Sequence, residues 1–264
     1  MFAKKQARAE AIRRNHASQL ISFALAALPD ITLGWPNPPQ NRALLLVHEF
    51  AGKRREIAVP EPSHRFSSGA LAEGNVGGGT AMICHEFKCG TGTSSRVVEI
   101  AGQRYTIGVL VQANYGVRSE LRIAGVPVGK FMPLTPEAPD HGSIIIVVAT
   151  DAPLLPQQLK RLARRASLGL ARNGSYSGDG SGDLFIAFST ANAAANQVQS
   201  FELRTLANGQ LNPLFLATVQ SVEESIVNAL VAAETMTGVN GKTVPAIDTG
   251  ELKKILKRFE RLQR

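Results

Sequence analysis

The spacing of apolar and polar residues along the chain predicts strands at several positions. Residues 143–150, SIIIVVAT, are apolar on both faces, which predicts a fully buried strand. Residues 96–114 predict two strands joined by a hairpin turn at Ala101–Gly102, and residues 183–190 predict another strand. A short strand pair is expected at residues 120–129.

Helices are predicted between and after these strands. Residues 153–172 place Leu and Ala on one face and Lys and Arg on the other, with Asp151 as a candidate cap. Residues 214–238 predict a long helix that ends at Gly238. The basic residues 251–264 predict a helix docked through its apolar side chains, which are Leu252, Ile255, Leu256, Phe259 and Leu262. Helices and strands are therefore mixed, as in the α/β (α+β) class.

Glycine and proline clusters mark the predicted loops. Residues 73–80, EGNVGGGT, must form a tight loop, which is either a structural turn or a segment that lets the backbone approach a substrate. The loop lacks the GK[ST] of a phosphate-binding P-loop. Residues 131–142 contain three prolines and predict an exposed linker, while residues 175–183 predict a glycine-rich loop.

Length and composition allow one large domain or two smaller ones, since the chain has 264 residues of which 44% are hydrophobic. Residues 1–65 are heterogeneous, with a basic helix, a proline-rich loop and a candidate strand at residues 43–50. The stretch before Pro29 loosely resembles a secretory leader, but no clear small-residue cleavage motif follows it. We therefore expect a cytoplasmic protein, with periplasmic export as the alternative.

The net charge of +8 is concentrated at the two ends of the chain. Basic surfaces are typical of nucleic-acid binding, but no aromatic side chains interleave with these residues to stack on bases. We interpret the C-terminal basic residues as the solvated face of a docked helix and predict no nucleic-acid partner. No apolar run approaches the ~18 residues of a membrane span, so no membrane partner is predicted.

The two cysteines, Cys84 and Cys89, lie in the segment CHEFKC. Their spacing is not CxxC and no second pair exists, so a zinc site is not predicted. Free thiols in a reducing compartment are expected, with oxidation of the pair as the alternative if the protein is exported. His85 and Glu86 do not form an HExxH motif, and no third ligand is in register. The sequence therefore predicts neither a metal nor a cofactor.

A glycine and a serine, Gly142 and Ser143, stand directly before the most apolar predicted strand. On the residues alone, Ser143 is either a turn residue or a nucleophile. All five histidines precede it and no G-x-S-x-G motif is present, so a Ser–His–Asp arrangement is disfavoured. A cut between the two residues would supply a base instead, because a free α-amino group has a reference pKa of ~7.7–8.

Several long blocks resemble the DmpA family of L-aminopeptidases/D-esterases and β-peptidyl aminopeptidases. The blocks are GNVGGGTAMICHEFKCGTGTSSR, YTIGVLVQANYG, HGSIIIVVATDAPLLPQQLKRLARR, GSGDLFIAFSTANAAA and NPLFLATVQSVEESIVNALVAAETMTG. The resemblance covers roughly residues 66–264 and implies a four-layer αββα sandwich similar in architecture to N-terminal-nucleophile hydrolases. It leaves residues 1–65 as an atypical N-terminal segment.

The resemblance also assigns roles to individual residues. It implies self-cleavage between Gly142 and Ser143, after which Ser143 is the nucleophile at the start of the small chain. Ser181 and Asp183 match the serine and carboxylate that orient the nucleophile and help to move its proton. Asn114 matches the asparagine whose amide donates to the oxyanion. Without the resemblance, ordinary turn, loop and strand-start positions are the favoured interpretation of Asn114, Ser181 and Asp183.

The implied function is a serine aminopeptidase or amidase that acts on short peptides, amides or esters. The resemblance also indicates a homo-oligomer, specifically a tetramer.

Residues 1–65 depart from the family pattern, because neither a block resembling DVPGVRVGH nor an upstream oxyanion tyrosine is found. Two alternatives follow. One is a truncated, catalytically impaired homologue that acts as an assembly partner or not at all. The other is an acyltransferase similar to ornithine acetyltransferase, which ranks lower because those proteins carry a threonine nucleophile.

Overall fold

The computed structural model describes residues 71–133, 142–192, 202–238 and 241–262. The N-terminal segment, including the strand predicted at residues 43–50, lies outside the described residues, and so does most of the linker predicted at residues 131–142. The described elements in chain order are β1 (Ile83–Cys84), β2 (Phe87–Lys88), β3 (Thr91–Ile100), β4 (Gln103–Asn114), α1 (Val128–Phe131), β5 (Ser143–Thr150), α2 (Pro156–Arg172), β6 (Leu184–Ser189), α3 (Asn212–Val231), β7 (Met236–Thr237), β8 (Thr243–Val244) and α4 (Thr249–Arg258).

A four-stranded sheet in the order β3-β4-β5-β6 organises the described residues. The hairpin predicted at Ala101–Gly102 joins β3 to β4, and both turn residues have positive φ, 51° and 76°. Strand β4 pairs with β5 antiparallel, whereas β5 pairs with β6 parallel through the crossover helix α2. The strand predictions at residues 96–114, 143–150 and 183–190 are therefore confirmed, with β3 beginning five residues earlier than expected.

Helices α2 and α3 pack together on one face of this sheet. The Ser94 hydroxyl on β3 donates to the Ser221 carbonyl on α3 over 2.9 Å, and the Asn228 side chain donates back to the Thr93 carbonyl over 2.8 Å. Helix α3 is long and apolar enough to cross a membrane by length and composition alone. Eleven of its residues are buried in the described structure, which is typical of the core helix of a globular protein.

Both faces of the two central strands are buried. Val109, Val111 and Ile146 belong to the hydrophobic cluster on the helix side. Leu110 and Val147 alternate with them and point to the other face, where they are also almost fully buried. The described residues thus provide one helix layer and one sheet layer of the expected αββα sandwich, with an apolar second sheet face.

Three details of the predicted elements were wrong. Asp151 does not cap α2, because its carboxylate accepts the Thr106 N–H at 2.7 Å; the helix begins at Pro156, and the Gln158 side chain accepts the preceding Leu155 N–H. Helix α3 ends at Val231 rather than at Gly238, since a short strand follows. The strand pair predicted at residues 120–129 is reduced to an isolated Ile123–Val126 bridge followed by α1.

The expectation of free thiols was also wrong. Cys84 and Cys89 form a disulfide, with their Cα atoms 5.4 Å apart. The reason is the short antiparallel pairing of β1 with β2, in which Cys84 lies opposite Phe87. The tight turn between the two strands brings Cys89, two residues after Phe87, back beside Cys84. Spacing in sequence did not indicate this bond, because it depends on the tight turn between the two strands.

Lys88 is buried beside this hairpin and donates to three backbone carbonyls. Its Nζ atom lies 2.5 Å from the Met82 oxygen, 3.2 Å from the Cys89 oxygen and 3.3 Å from the Gly79 oxygen. Burial lowers the pKa of this ammonium group below its ordinary value of 10.5. The glycine-rich segment, which forms a 3-10 helix at Gly77–Ala81, is therefore tied to β2 through one side chain.

Lys88→Met should lower the free energy of unfolding by ~1–3 kcal/mol, because buried carbonyls lose their donor. Urea denaturation measures this, and Lys254→Met on the exposed face of α4 is the control. Because burial lowers the pKa of Lys88 in the folded state, unfolding takes up a proton only between that lowered pKa and the unfolded value of 10.5, and the stability contributed by this residue rises with pH in that window alone. Equal stability of both variants at every pH would show that Lys88 does not stabilise the fold as a buried donor.

Candidate active site

The pairing of β4 with β5 brings two of the predicted site residues together. Asn114 is the last residue of β4 and Ser143 the first of β5, and they lie directly opposite each other in the antiparallel register. Directly opposed residues place their side chains on the same face of a sheet, with Cβ atoms ~4.5–5.5 Å apart. This is the face opposite α2 and α3. The two residues are partly exposed, while Ile144 behind them is fully buried.

Gly142 passes so close to the end of β4 that no side chain fits. A Cβ at this position would overlap the backbone carbonyl of Asn114 and crowd the Cα of Tyr115. Glycine is therefore needed for packing rather than for an unusual backbone angle. The bond between Gly142 and Ser143 is held against the neighbouring strand at the point where β5 begins.

The amide of Asn114 is oriented by a backbone group. Its Oδ1 atom accepts the N–H of Ile83 over 2.9 Å, where β1 begins. With the carbonyl end occupied, the Nδ2 end is the one that can donate to another group. An asparagine held in this way suits the stabilisation of a negatively charged oxygen.

The hydroxyl of Ser143 is held by the loop that precedes β6. The N–H of Gly182 donates to the Ser143 Oγ over 2.9 Å. A Cβ on Gly182 would lie 3.3 Å from the same oxygen, so the backbone approaches the hydroxyl closely. The oxygen is fixed in place as an acceptor, and its own proton can be directed to a base.

Asp183 links this loop to the strand that follows the serine. Its Oδ1 atom accepts the N–H of Ile144 over 3.0 Å, and its Oδ2 atom accepts the hydroxyl of Ser177 over 2.7 Å. Both carboxylate oxygens are thereby oriented one residue away from Ser143. The parallel pairing of β5 with β6 explains the juxtaposition, because Ser143 begins β5 and Asp183 directly precedes β6 at the same edge of the sheet.

Ser181 lies in the same loop but makes no direct hydrogen bond to Ser143 in the described structure. Its N–H closes a turn onto the Gly178 carbonyl over 2.8 Å, and it immediately precedes the Gly182 amide that holds the nucleophilic oxygen. The structure thus brings Asn114, Ser143 and Asp183 into one site and leaves Ser181 at its border.

Sequence reasoning missed three residues of this arrangement, which are Ser177, Ile83 and Gly182, whose N–H holds the Ser143 hydroxyl. Ser177 supports Asp183, and its φ of 49° is unusual for a residue other than glycine and is typical of functional loops. The serine-rich segment SYSGDGSGD was the only available signal. Ile83 orients Asn114 through its backbone, for which the sequence carries no signal.

Comparison with known proteins identifies the family of this chain. Residues 46–244 match peptidase family S58. The chain belongs to this family. The match begins twenty residues before the boundary expected at residue 66, so part of the segment considered atypical is included.

Relatives and solved structures of the family are closely similar. A β-peptidyl aminopeptidase, BapA, from Sphingosinicella microcystinivorans is 51% identical over 74% of this chain and 54% of its own length. The L-aminopeptidase D-Ala-esterase/amidase of Ochrobactrum anthropi, described as a variant of the Ntn-hydrolase fold, superposes with a TM-score of 0.68 and 49% identity over 75% of this chain and 55% of its own.

A third similarity is to the PH0078 protein of Pyrococcus horikoshii OT3, with a TM-score of 0.69 and 46% identity over 73% of this chain and 54% of that one. The α/β fold class and the likeness to N-terminal-nucleophile hydrolases are confirmed by these comparisons. The chain spans about half the length of the relatives that it matches.

Gly142→Ala should destabilise the protein, because the new methyl group overlaps backbone atoms of β4. Overpacking of this kind costs ~1–3 kcal/mol of unfolding free energy. Gly209→Ala is the matched control, since a Cβ there would meet nothing within 4 Å. Urea denaturation of both variants is the measurement, and an equal midpoint for the two would contradict the close approach.

Proposed function

We propose that the protein is a serine aminopeptidase whose nucleophile, Ser143, becomes N-terminal by self-cleavage after Gly142. Its substrates are short peptides, amides or esters with a free amino terminus. The observation that carries the proposal is the geometry of Ser143 at the start of a buried strand. The Gly182 N–H holds its hydroxyl at 2.9 Å, Asn114 lies opposite, and Asp183 is anchored to the next residue. Membership of peptidase family S58 supports it.

The proposed self-cleavage uses the Ser143 hydroxyl, the Gly142 carbonyl and one water molecule. The Ser143 oxygen attacks the carbonyl carbon of Gly142, the C–N bond breaks, and the proton lost by the hydroxyl ends on the released amine. Water then hydrolyses the resulting ester and frees the Gly142 carboxylate. The Asn114 Nδ2 group can donate to the oxyanion formed in both steps, since its Oδ1 is occupied by Ile83.

Turnover of a substrate repeats the same chemistry with the new amino terminus as base. An α-amino group with a pKa of ~7.7–8 is partly neutral near pH 7 and can take the hydroxyl proton. The attack forms an acyl-enzyme on Ser143, and the proton passes to the leaving amine before water releases the acyl group. Asp183, fixed by Ser177 and Ile144, stabilises the positive charge that develops on the amino group.

We further propose that the active species is a homo-oligomer of processed chains, in line with the family resemblance. A catalytically impaired homologue is the competing function, and one observation favours it. The chain spans about half the length of its relatives, and residues 1–65 contain neither the block nor the upstream tyrosine that the family resemblance implies. Processing and turnover of the purified chain separate the two functions.

Ser143→Ala should leave the chain uncut, because the attacking oxygen is removed. Intact-mass spectrometry after expression should show two fragments for the wild type, one ending at Gly142 and the other beginning at Ser143. The variant should show one full-length chain. Ser167→Ala, on the exposed side of α2, is the control and should be cut normally. An uncut wild-type chain without turnover of an aminoacyl nitroanilide would exclude the proposal.

Asn114→Asp should keep the acceptor for Ile83 but remove the donor to the oxyanion. Loss of one such donor lowers kcat by ~10²–10³-fold. We expect KM for an aminoacyl nitroanilide to change much less, because the bond forms mainly in the transition state. Steady-state kinetics measure both constants, with thermal denaturation as a check of folding. A variant with wild-type kcat would show that Asn114 is not the oxyanion donor.

A further inference from the structure

We infer that the Cys84–Cys89 disulfide is a positioning device for Asn114, so that full activity requires the oxidised bridge. The inference deepens the proposed function, because it rests on Asn114 as the oxyanion donor. The bridge closes a six-residue loop, from Cys84 to Cys89, that contains the turn between β1 and β2. This loop and the residue before it contact β4 at the point where Asn114 ends the strand.

Two backbone N–H groups, one in this loop and one in the residue before it, bracket Asn114. The Ile83 N–H donates to the Asn114 side chain over 2.9 Å, and the His85 N–H donates to the Tyr115 carbonyl over 2.8 Å. The Cys84 sulfur itself lies 3.1 Å from the Ala113 carbonyl oxygen. Cys84 therefore sits between the two donors and packs against the residue that precedes Asn114.

The hairpin is short and its turn is strained, and besides the bridge it is held by Arg118, whose Nε donates to the His85 carbonyl over 2.7 Å, and by Lys88. Each of its strands has only two residues, and such isolated hairpins are marginally stable. The two turn residues, His85 and Glu86, have positive φ values of 48° and 62°, which costs energy for residues other than glycine. A covalent bridge across the ends of the turn offsets this cost.

Both sulfur-bearing residues are fully buried, with 0% exposure. The bridge is therefore a permanent support in the folded protein rather than a surface group that exchanges rapidly. Its formation removes two protons and two electrons from the thiols, and a small-molecule disulfide such as oxidised glutathione accepts them by exchange. Bridges of this kind are typical of oxidising compartments, which favours export over the cytoplasmic location expected from the sequence.

The test compares wild type with the Cys84→Ser/Cys89→Ser double variant, both as the full chain. Alkylation of the unfolded wild type should show no free thiols. The double variant should be cut more slowly and show a kcat about tenfold or more below wild type, with KM within about twofold, because a misplaced donor acts on the transition state. Leu252→Ala in α4 is the control, since it removes a buried side chain from a core position outside the hairpin and so destabilises the fold.

A second measurement does not depend on activity. The side-chain amide signals of Asn114 in a ¹⁵N–¹H spectrum, assigned by their loss in Asn114→Asp, should shift or broaden in the double variant and stay in place in Leu252→Ala. Two alkylated thiols in active wild type, or unchanged kcat and unchanged Asn114 signals in the double variant, would overturn the inference. A bridged wild type that neither cuts itself nor turns over substrate would instead refute the proposed function, while the spectra still test the positioning.

Discussion

The antiparallel pairing of β4 with β5 is the constraint on which the candidate site depends. It sets Asn114 opposite Ser143 and forces the chain before β5 so close to β4 that only glycine fits at position 142. A shift of the register by one residue would turn Ser143 to the helix side of the sheet and bury it.

The second part of the site depends on the parallel pairing of β5 with β6. Parallel neighbours begin at the same edge of a sheet, so the loop before β6 lies beside the residue that starts β5. Gly182 and Asp183 lie some forty residues after Ser143 in the chain. The pairing explains how Gly182 comes to hold the Ser143 hydroxyl and Asp183 the N–H of Ile144. The crossover helix α2 has the length that this return requires.

The strands of the sheet could be predicted from the sequence because their apolar patterns are continuous. Ser143 stood out for the same reason, as a hydroxyl residue at the edge of an unambiguous buried strand. The roles of Asn114 and Asp183 came from family resemblance, since an asparagine at a strand end and an aspartate in a glycine-rich loop have many ordinary explanations. The disulfide, the Ile83 contact and the support from Ser177 could not be predicted, because each depends on backbone atoms or on turn geometry.

The eight-residue pairing of β4 with β5 has one more consequence. A cut after Gly142 places these two strands in different polypeptides, yet they remain adjacent in the middle of the sheet. The two pieces are then subunits of one core, each supplying apolar surface that the other covers. Separating them would require unfolding the sheet, so the processed protein should behave in solution as a single cooperative unit despite having four chain ends.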